Sequence, residues 1–270
     1  MNEHLSCVEV SAERKVGILK FSRARKHNAF NQKLMEEAST ALRTFNRDNQ
    51  INAIVVTGAG PSFSAGFDLN EVAAQKYTTP CEWQAAVTAD FEYIMQFWDS
   101  PKPTIAAVEG YCLGSGLEVA VACDITVAGD KALFGVPEVK FGSSIVALIL
   151  PWIIGPKYTK ELLLTGNDRI SAARAGEIGL VNHVVAEGAS FAHAMEIANE
   201  IASAPALSVQ LTKRAVNRTA DIQGMREALR WAADTCVFIE SSGSEVNAEF
   251  NRIAARDGMQ AAVAWRNSRN

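Results

Sequence analysis

A single acidic residue, Glu118, stands in the middle of an apolar segment. The segment GYCLGSGLEVAVACDI, residues 110–125, has small and hydrophobic residues on both sides of it. An unpaired ionised carboxylate in such surroundings is costly, so Glu118 has a partner, takes a raised pKa or faces a cavity. A raised pKa suits a general acid or base that works near neutral pH. The alternative is a structural residue, paired with Lys131 or capping nearby backbone.

Two turns of small residues, 64–68 and 113–116, each join a short strand to the start of a helix. They read SAGFD and LGSG. Backbone N–H groups at a helix start are unpaired, and small residues let a ligand approach them closely. Two such turns side by side could aim two N–H groups at one oxygen, as in an oxyanion hole. Alternatively, the small residues only allow tight packing of strand and helix.

A second acid, Glu138, ends the stretch ALFGVPE, where Pro137 restricts the backbone. By itself, an acid in this position is typical of an exposed loop. Together with Glu118 and a pair of backbone donors, it would complete a site for enolate chemistry. The donors would hold negative charge on a thioester oxygen while the two acids move protons.

A third loop, GAGPSFSAG at 58–66, follows a predicted strand and invites comparison with a dinucleotide-binding turn. It lacks the third glycine of that turn, and Pro61 and Ser62 stand where the helix should begin. A dinucleotide cofactor is therefore not expected.

The elements that must position these residues repeat a pattern of strand, small-residue turn and helix. Apolar runs predict a hairpin at 7–10 and 15–21, and strands at 51–58, 104–110, 124–129 and 132–136. Helical periodicity predicts helices at 31–47, 82–98 and 115–122. Asp68 and Glu71 have the spacing of a capping box, which predicts another helix start.

The strand pattern ends near residue 189, and helical periodicity continues to the C-terminus. It predicts helices at 189–203, 206–219, 222–240 and 245–264. We therefore predict an α/β part, residues 1–200, and a helical part, residues 201–270. An apolar stripe on the helical part predicts a contact between copies of the chain; it comprises Leu229, Trp231, Ala232, Val237 and Phe238.

The composition limits the class of protein. The chain has 270 residues, 48% of them hydrophobic, and a net charge of −4. A sizeable core is possible, and neither nucleic acid nor an anionic membrane is expected as a partner. Five scattered cysteines without a CxxC pair fit a reducing compartment, and the histidines lack metal-site spacing. The start has no signal-peptide pattern, and the apolar run 145–154 is too short to span a bilayer. We expect a cytoplasmic protein without a bound metal.

Six segments taken together resemble the crotonase family, the enoyl-CoA hydratase/isomerase superfamily. They are RARKHNAFN (23–31), SFSAGFDL (62–69), GYCLGSGLEVAVACDI (110–125), FGVPEV (134–139), LLLTGNDRISAARAGEIGLVNHVV (162–185) and DGMQAAVAWR (257–266). The resemblance runs from about residue 8 to 266. It implies an α/β fold, a crotonase-like spiral of ββα units followed by C-terminal helices. Those helices would help to build a homotrimer or a dimer of trimers.

Matched residue by residue, the resemblance implies a site for an acyl-CoA thioester, with no tightly bound cofactor. The N–H groups of Phe67 and Ser115 would form the oxyanion hole. Glu118 would act mainly on a water molecule, and Glu138 mainly on the Cα proton. The residues that would hold the CoA thioester are Arg25, Lys26, Ala29, Ala65, Gly66, Phe67, Asp68, Leu69, Leu113, Gly114 and Pro137. Arg25 and Lys26 are the nearest cations for its phosphates.

This sequence departs from the family pattern at several positions. Phe67 is bulkier than the usual alanine, and Ser115 replaces a glycine. The segment after Glu138, FGSSIVALILPWIIG, is shorter and poorer in glycine than the stretch that holds the catalytic water in the family. No Asp or Glu lies between Val139 and Lys160, which disfavours the dehalogenase branch. A C-terminal pair of basic residues is reduced to Arg266, which would serve CoA or the contact between copies.

The resemblance implies hydration of a 2-enoyl-CoA through an oxyanion-stabilised enolate. Two alternatives stay open at this point. A Δ3,Δ2-enoyl-CoA isomerase would need only the proton shuttle of Glu138. An acyl-CoA-binding protein with weak catalysis would need the cavity alone.

Overall fold

The computed structural model describes residues 5–75 and 77–269 and contains two β-sheets surrounded by helices. The strands are β1 (Val8–Glu13), β2 (Val16–Phe21), β3 (Ala53–Gly58), β4 (Thr104–Val108), β5 (Tyr111–Leu113), β6 (Ile125–Gly129), β7 (Leu133–Gly135), β8 (Ile170–Ser171) and β9 (His183–Val185). The larger sheet has the order β1-β2-β3-β4-β6-β9, and the smaller has the order β5-β7-β8. The predicted hairpin is the antiparallel pair of β1 and β2.

Successive turns of the chain place one strand in each sheet. β4 leads almost directly into β5, and β6 leads into β7. β4 pairs in parallel with β6 in the larger sheet, while β5 pairs in parallel with β7 in the smaller. Ser64, which follows β3, forms a parallel bridge with Cys112 in β5 and so begins the smaller sheet one turn earlier. This arrangement confirms the predicted spiral of ββα units.

Helices close the turns of the spiral and form its C-terminal part. They are α1 (Gln32–Arg47), α2 (Leu69–Ala74), α3 (Pro80–Trp98), α4 (Ser115–Ala122), α5 (Leu150–Ile153), α6 (Gly155–Thr165), α7 (Ala172–Glu177), α8 (Ser190–Ser203), α9 (Ala206–Ile222), α10 (Met225–Ser242), α11 (Glu245–Asp257) and α12 (Met259–Asn267). Across residues 5–75 and 77–269, every helix is too short or too polar to cross a membrane.

The local sequence explains where α3 and α4 begin. α3 starts at a capping box, in which the Thr79 side chain and the Glu82 side chain each bond the other residue's backbone N–H, with Pro80 in the first turn. α4 starts after Gly114, whose φ of 54° suits glycine. All eight residues of α4 are buried, because the helix lies in the core that also contains residues of α1, α3 and α10.

Two smaller clusters complete the packing. α8 covers the other face of the larger sheet, where Ala194 and Ala198 pack on residues of β2, β3, β4 and β6. α11 and α12 form a third cluster, in which Phe250, Ile253 and Ala262 pack with Leu69 and Phe141 from the spiral. The C-terminal helices therefore fold back over the spiral of their own chain.

Two expectations about local structure are wrong. The helix expected over 245–264 is broken at Gly258, where a φ of 91° separates α11 from α12. Asp68 caps α2 by accepting a hydrogen bond from the N–H of Asn70, but Glu71 does not complete a capping box. Its carboxylate accepts from the N–H of Gln32 instead, at 2.9 Å, because the start of α1 lies beside it.

The apolar stripe of α10 is also largely covered within the chain. Leu229, Ala232 and Val237 are buried, because α10 packs against α3. Trp231 and Phe238 remain 73% and 72% exposed. The prediction that this whole stripe is open to a neighbouring copy is therefore wrong for its three buried members.

Candidate active site

A cavity of about 320 Å³ lies between the spiral and the C-terminal helices. Its walls come from the turn at 65–67, α3, the turn before α4, the 3₁₀ turn at 138–141 and helices α10 to α12. Nine of the residues proposed from the sequence line it: Ala65, Gly66, Phe67, Leu69, Leu113, Gly114, Glu118, Pro137 and Glu138. The fold therefore brings the two glycine turns and both acids to one cavity.

The two turns present unpaired backbone donors next to each other. The N–H groups of Phe67 and Ser115 have no acceptor among the described residues, whereas the N–H groups of Gly66, Asp68 and Gly114 are paired. Gly66 packs so closely on the second turn that an added Cβ would lie 2.9 Å from the Leu113 carbonyl oxygen and 3.3 Å from the Ser115 nitrogen. This is the arrangement that an oxyanion hole built from backbone requires.

The hydroxyl group of Ser115 takes no part in this arrangement. Ser115 is 1% exposed, and its Oγ has no hydrogen-bond partner within residues 5–75 and 77–269. No histidine or carboxylate in this part of the chain contacts it, so no base is positioned to activate it as a nucleophile.

A backbone N–H group holds the carboxyl group of Glu118 in place. It is 2% exposed, and its Oε1 accepts a hydrogen bond from the N–H of Ala147 at 2.5 Å. Burial raises its pKa well above the ordinary value, and the charge of Glu138 raises it further, while the N–H groups of Ala147 and Val146 oppose the shift. Its partner is therefore the glycine-poor segment after Glu138 and not Lys131.

Glu138 lies across the cavity from this arrangement with one oxygen uncommitted. Its Oε2 is buried without a hydrogen-bond partner among the described residues. Its Oε1 would lie 2.5 Å from a Cβ added at Gly114, so only glycine at position 114 leaves room for this acid beside the backbone donors. Burial raises the pKa of Glu138 to about 7, although the nearby charge of Arg266 lowers it.

Arg266 places a buried cation in the cavity. Its side chain is 8% exposed and lies on the ring of Phe141, with 4.6 Å from the guanidinium carbon to the ring centroid. Its Nη2 is 3.1 Å from Oδ2 of Asp168. A guanidinium fixed in this way lowers the pKa of Glu138 without bonding to it. Its own chain buries Arg266, so the side chain is not exposed to a neighbouring copy. Because it lines the cavity, the alternative that it serves CoA stays a prediction.

Sequence reasoning missed several polar groups of the cavity, among them Asp90 on α3 and both Cys236 and Glu240 on α10. Glu240 accepts a hydrogen bond from the hydroxyl of Ser143, and burial raises its pKa. Asp90 occupies the same face of α3 as Trp83 and Val87, so an acid on an otherwise apolar helical stripe is the signal that could have revealed it.

Four residues proposed for CoA do not line the cavity. Arg25 and Lys26 lie on an exposed 3₁₀ turn, and Ala29 is buried behind it. This turn lies beside the cavity wall, because the Ala65 N–H donates to the His27 carbonyl at 2.9 Å. Asp68 is 6% exposed, and its carboxylate is paired with Arg23 at 2.9 Å. The Asp68 side chain therefore points away from the cavity.

Taken together, the two-sheet spiral, the two adjacent backbone N–H donors and the two acids define a protein built to stabilise an oxyanion beside proton-transfer groups. The sequence profile of the family described as "Enoyl-CoA hydratase/isomerase" matches residues 11–244. The chain belongs to this family.

Relatives and solved structures agree with this assignment. The chain is 35% identical over 222 residues to a protein of Dictyostelium discoideum named "Probable enoyl-CoA hydratase, mitochondrial", which covers 80% of this chain and 77% of the relative. It is 34% identical over 218 residues to "Short-chain-enoyl-CoA hydratase" of Clostridium acetobutylicum, over 79% and 82% of the two chains. A crystal structure of an enoyl-CoA hydratase/isomerase from Xanthobacter autotrophicus Py2 is 42% identical, covers 98% of both chains and superposes with a TM-score of 0.96.

Proposed function

We propose that this protein is an enoyl-CoA hydratase that adds water across the double bond of a trans-2-enoyl-CoA. The observation that carries the proposal is the cavity in which two unpaired N–H groups, of Phe67 and Ser115, adjoin two carboxyl groups with raised pKa values. The names of the relatives support the same reaction.

The backbone donors would act on the thioester oxygen. When water adds to Cβ, negative charge develops on this oxygen, and two N–H groups fixed by tight turns stabilise it without reorganisation. Gly66 keeps the two turns in contact. The ring of Phe67 lines the cavity, so this side chain narrows the space beside the reacting carbon, whereas its N–H serves as an alanine's would.

The two acids would divide the proton transfers. The N–H of Ala147 stabilises the ionised form of Glu118, which suits it to accept a proton from the attacking water. Glu138 has a pKa of about 7, so a substantial fraction is protonated at neutral pH and can deliver a proton to Cα. The charge of Glu138 raises the pKa of Glu118, so ionisation of Glu138 makes Glu118 harder to ionise.

The exposed turn with Arg25 and Lys26 is the proposed contact for the CoA phosphates. Both side chains are free of ion pairs among the described residues and lie beside the turn that leads to Phe67. CoA would enter as part of the substrate, with no other cofactor required by the steps above. Replacement of both cations by Ser should raise KM and leave kcat nearly unchanged.

The direct test measures loss of the enoyl thioester absorbance of crotonyl-CoA and formation of the 3-hydroxyacyl product. Turnover supports the hydratase. Conversion of a 3-enoyl-CoA to the 2-enoyl isomer, or exchange of the α-proton without hydration, would identify an isomerase that uses Glu138 alone. Binding of both thioesters without any turnover would reject an enzymatic role.

We also propose that the protein assembles as a homotrimer or a dimer of trimers in the cytoplasm, as the sequence analysis predicts. Large apolar side chains are exposed on α9 and α10, and they comprise Leu207, Leu211, Val216, Ile222, Trp231 and Phe238. Exposed patches of this kind mark contacts between chains. Sedimentation should give a trimer or hexamer at micromolar concentration, and Trp231→Ser with Phe238→Ser should shift it toward the monomer. A monomeric wild type would contradict this assembly.

A further inference from the structure

The cavity contains one acid that neither the proposed chemistry nor the packing of the fold uses. Asp90 lies on the face of α3 that carries Trp83 and Val87, and all three side chains line the cavity. Among the described residues, no donor or cation is paired with its carboxyl group. Burial alone raises its pKa to about 7, with no hydrogen bond or opposite charge to offset it.

An acid in this position does not stabilise the protein. Asp90 is only partly buried in the cavity wall, and without a donor from the chain its carboxyl group depends on water for hydrogen bonds. Glu92, two residues along the same helix, is exposed, so its carboxyl group stays hydrated. Residues that lower stability without a structural return are typical of positions that serve a ligand.

The surroundings of Asp90 connect it to the reacting end of the cavity. Its charge raises the pKa of both Glu118 and Cys236, so it lies within electrostatic reach of the first and near α10. The Cys236 side chain is 1% exposed, and its thiol faces the carbonyl oxygen of Ser144 at 3.8 Å. Neither neighbour donates a hydrogen bond to Asp90, so a ligand that brings a donor finds this acid without a partner among the described residues.

The ionisable groups of the cavity are mostly acids. Glu118 accepts a hydrogen bond from the Ala147 N–H and Glu240 accepts one from the Ser143 hydroxyl. Asp90 and one oxygen of Glu138 have no donor among the described residues. Arg266 is the one cation among the described lining residues, and Asp168 already neutralises it. An acyl group that enters this cavity therefore meets one acid, Asp90, that has no donor among the described residues and no part in the proposed proton transfers.

We infer that Asp90 is a specificity-determining residue that accepts a hydrogen bond from a donor group on the acyl chain, a hydroxyl or an ammonium group. The inference rests on the proposed function in taking this cavity as the acyl site. The enzyme would then prefer thioesters whose acyl chain carries such a donor over plain alkyl thioesters. It would bind acyl chains that end in a carboxylate most weakly, because such a chain adds another acid and brings no donor to Asp90.

The preference has a physical basis. A plain alkyl chain would cover Asp90 and leave its carboxyl group without a partner, whereas a hydroxyl would satisfy it. Sites that hydrogen-bond a hydroxyl group discriminate strongly against the analogue that lacks it. A single charge-assisted hydrogen bond accounts for about tenfold in affinity.

Calorimetric titration with saturated thioesters tests the inference without any turnover. The ligands are butanoyl-, pentanoyl- and hexanoyl-CoA, each compared with its ω-hydroxy, ω-amino and ω-carboxy counterpart. At the chain length that reaches Asp90, we expect the hydroxy or amino ligand to bind about tenfold more tightly than the alkyl one. The carboxy ligand should bind worst. The ratio of the hydroxy and amino ligands identifies the donor.

Variants locate the effect. Asp90→Leu should abolish the preference or reverse it in favour of the alkyl ligand, and Asp90→Asn should retain part of the preference for the hydroxyl. Glu92→Leu, on the exposed face of the same helix, should leave every ratio unchanged. Melting curves and hexanoyl-CoA binding show whether each variant is folded.

Two results would overturn the inference: a wild type without preference at any chain length, or a preference that survives in Asp90→Leu. Because the ligands are saturated, these results are independent of hydration. A protein that shows the preference but does not hydrate crotonyl-CoA would reject the proposed reaction and keep the role of Asp90. A protein that hydrates crotonyl-CoA but shows no preference would support the proposed reaction and reject the role of Asp90.

Discussion

The two acids of the cavity stand in contrasting parts of the molecule. Glu118 belongs to α4, a helix whose eight residues are all buried, and a backbone N–H fixes one of its oxygens. Glu138 belongs to a 3₁₀ turn in which no residue is fully buried, and one of its oxygens has no partner among the described residues. The rigid side of the site is made by the spiral, whereas the other side depends on what folds over it.

The difference shows how the proton-transfer groups are tuned. Glu118 is governed by local burial and by N–H groups of the segment around Ala147. Glu138 is governed by burial together with the charge of Arg266, which α12 brings from the far end of the chain. One acid is therefore set by the core, and the other by a tertiary contact between the spiral and the C-terminal helices.

The largest effect on kcat is expected from replacement of Glu118. Glu118→Gln keeps the shape of the side chain and removes its ionisable group, so kcat on crotonyl-CoA should fall by roughly 10²–10⁴. Binding of hexanoyl-CoA, measured by calorimetry, should change little. An unchanged kcat would remove Glu118 from the proton transfers.

The second largest effect on kcat is expected from loss of the Ser115 N–H. Ser115→Pro removes an N–H of the oxyanion hole, which should lower kcat by about 10²–10³. Ser115→Ala is the matched control and should keep most of the activity, because the hydroxyl contacts nothing among the described residues. An unchanged melting curve must accompany the proline variant, since proline can also disturb the turn. Equal damage in both variants would instead assign chemistry to the hydroxyl.

The role of Glu138 is tested by the pH dependence of kcat/KM. If Glu138 delivers the proton to Cα, the rate should fall as the pH rises through about 7. Arg266→Met removes the cation that holds this pKa down, so the falling limb should move to higher pH by about one unit. Arg266→Lys keeps the charge and should move it less. A shift of the rising limb at low pH would show that Glu138 acts as the base.

The smallest effect concerns stability. The pKa of Asp90 is raised from 3.8 to about 7 in the folded protein, so its neutral form is favoured there. The stability associated with this shift is present below about pH 4 and is lost as the pH rises through 7. Asp90→Asn should therefore raise the melting temperature at pH 8 by roughly 2–4 °C, if about 1 kcal/mol is recovered after solvent screening, and leave it unchanged near pH 4. Equal shifts at both pH values would trace the effect to packing.

The same contrast separates what the sequence could predict from what it could not. The boundaries of α4 agree with the predicted 115–122, because an apolar run after a glycine turn has few other conformations. Glu118 is revealed by the apolar segment that surrounds it in the sequence, and the two turns are revealed by their own small residues. Asp90, Glu240 and Arg266 reach the cavity only through the packing of α3, α10 and α12. The apolar stripe around Asp90 marks it as unusual, but the stripe does not show which cavity the helix faces. The break at Gly258 was likewise hidden, since the apolar pattern continues across it.

The position of Arg266 in the chain also sets a sequence of events during synthesis. It is the last of the cavity-lining residues to leave the ribosome, about 130 residues after Glu138. At 5–20 residues per second, the acid waits roughly 6–26 s for its counter-charge. Throughout that interval the nascent spiral exposes an incomplete site, without α11 and α12 to cover it. Until α12 has emerged and packed, Glu138 therefore lacks the guanidinium charge that lowers its pKa.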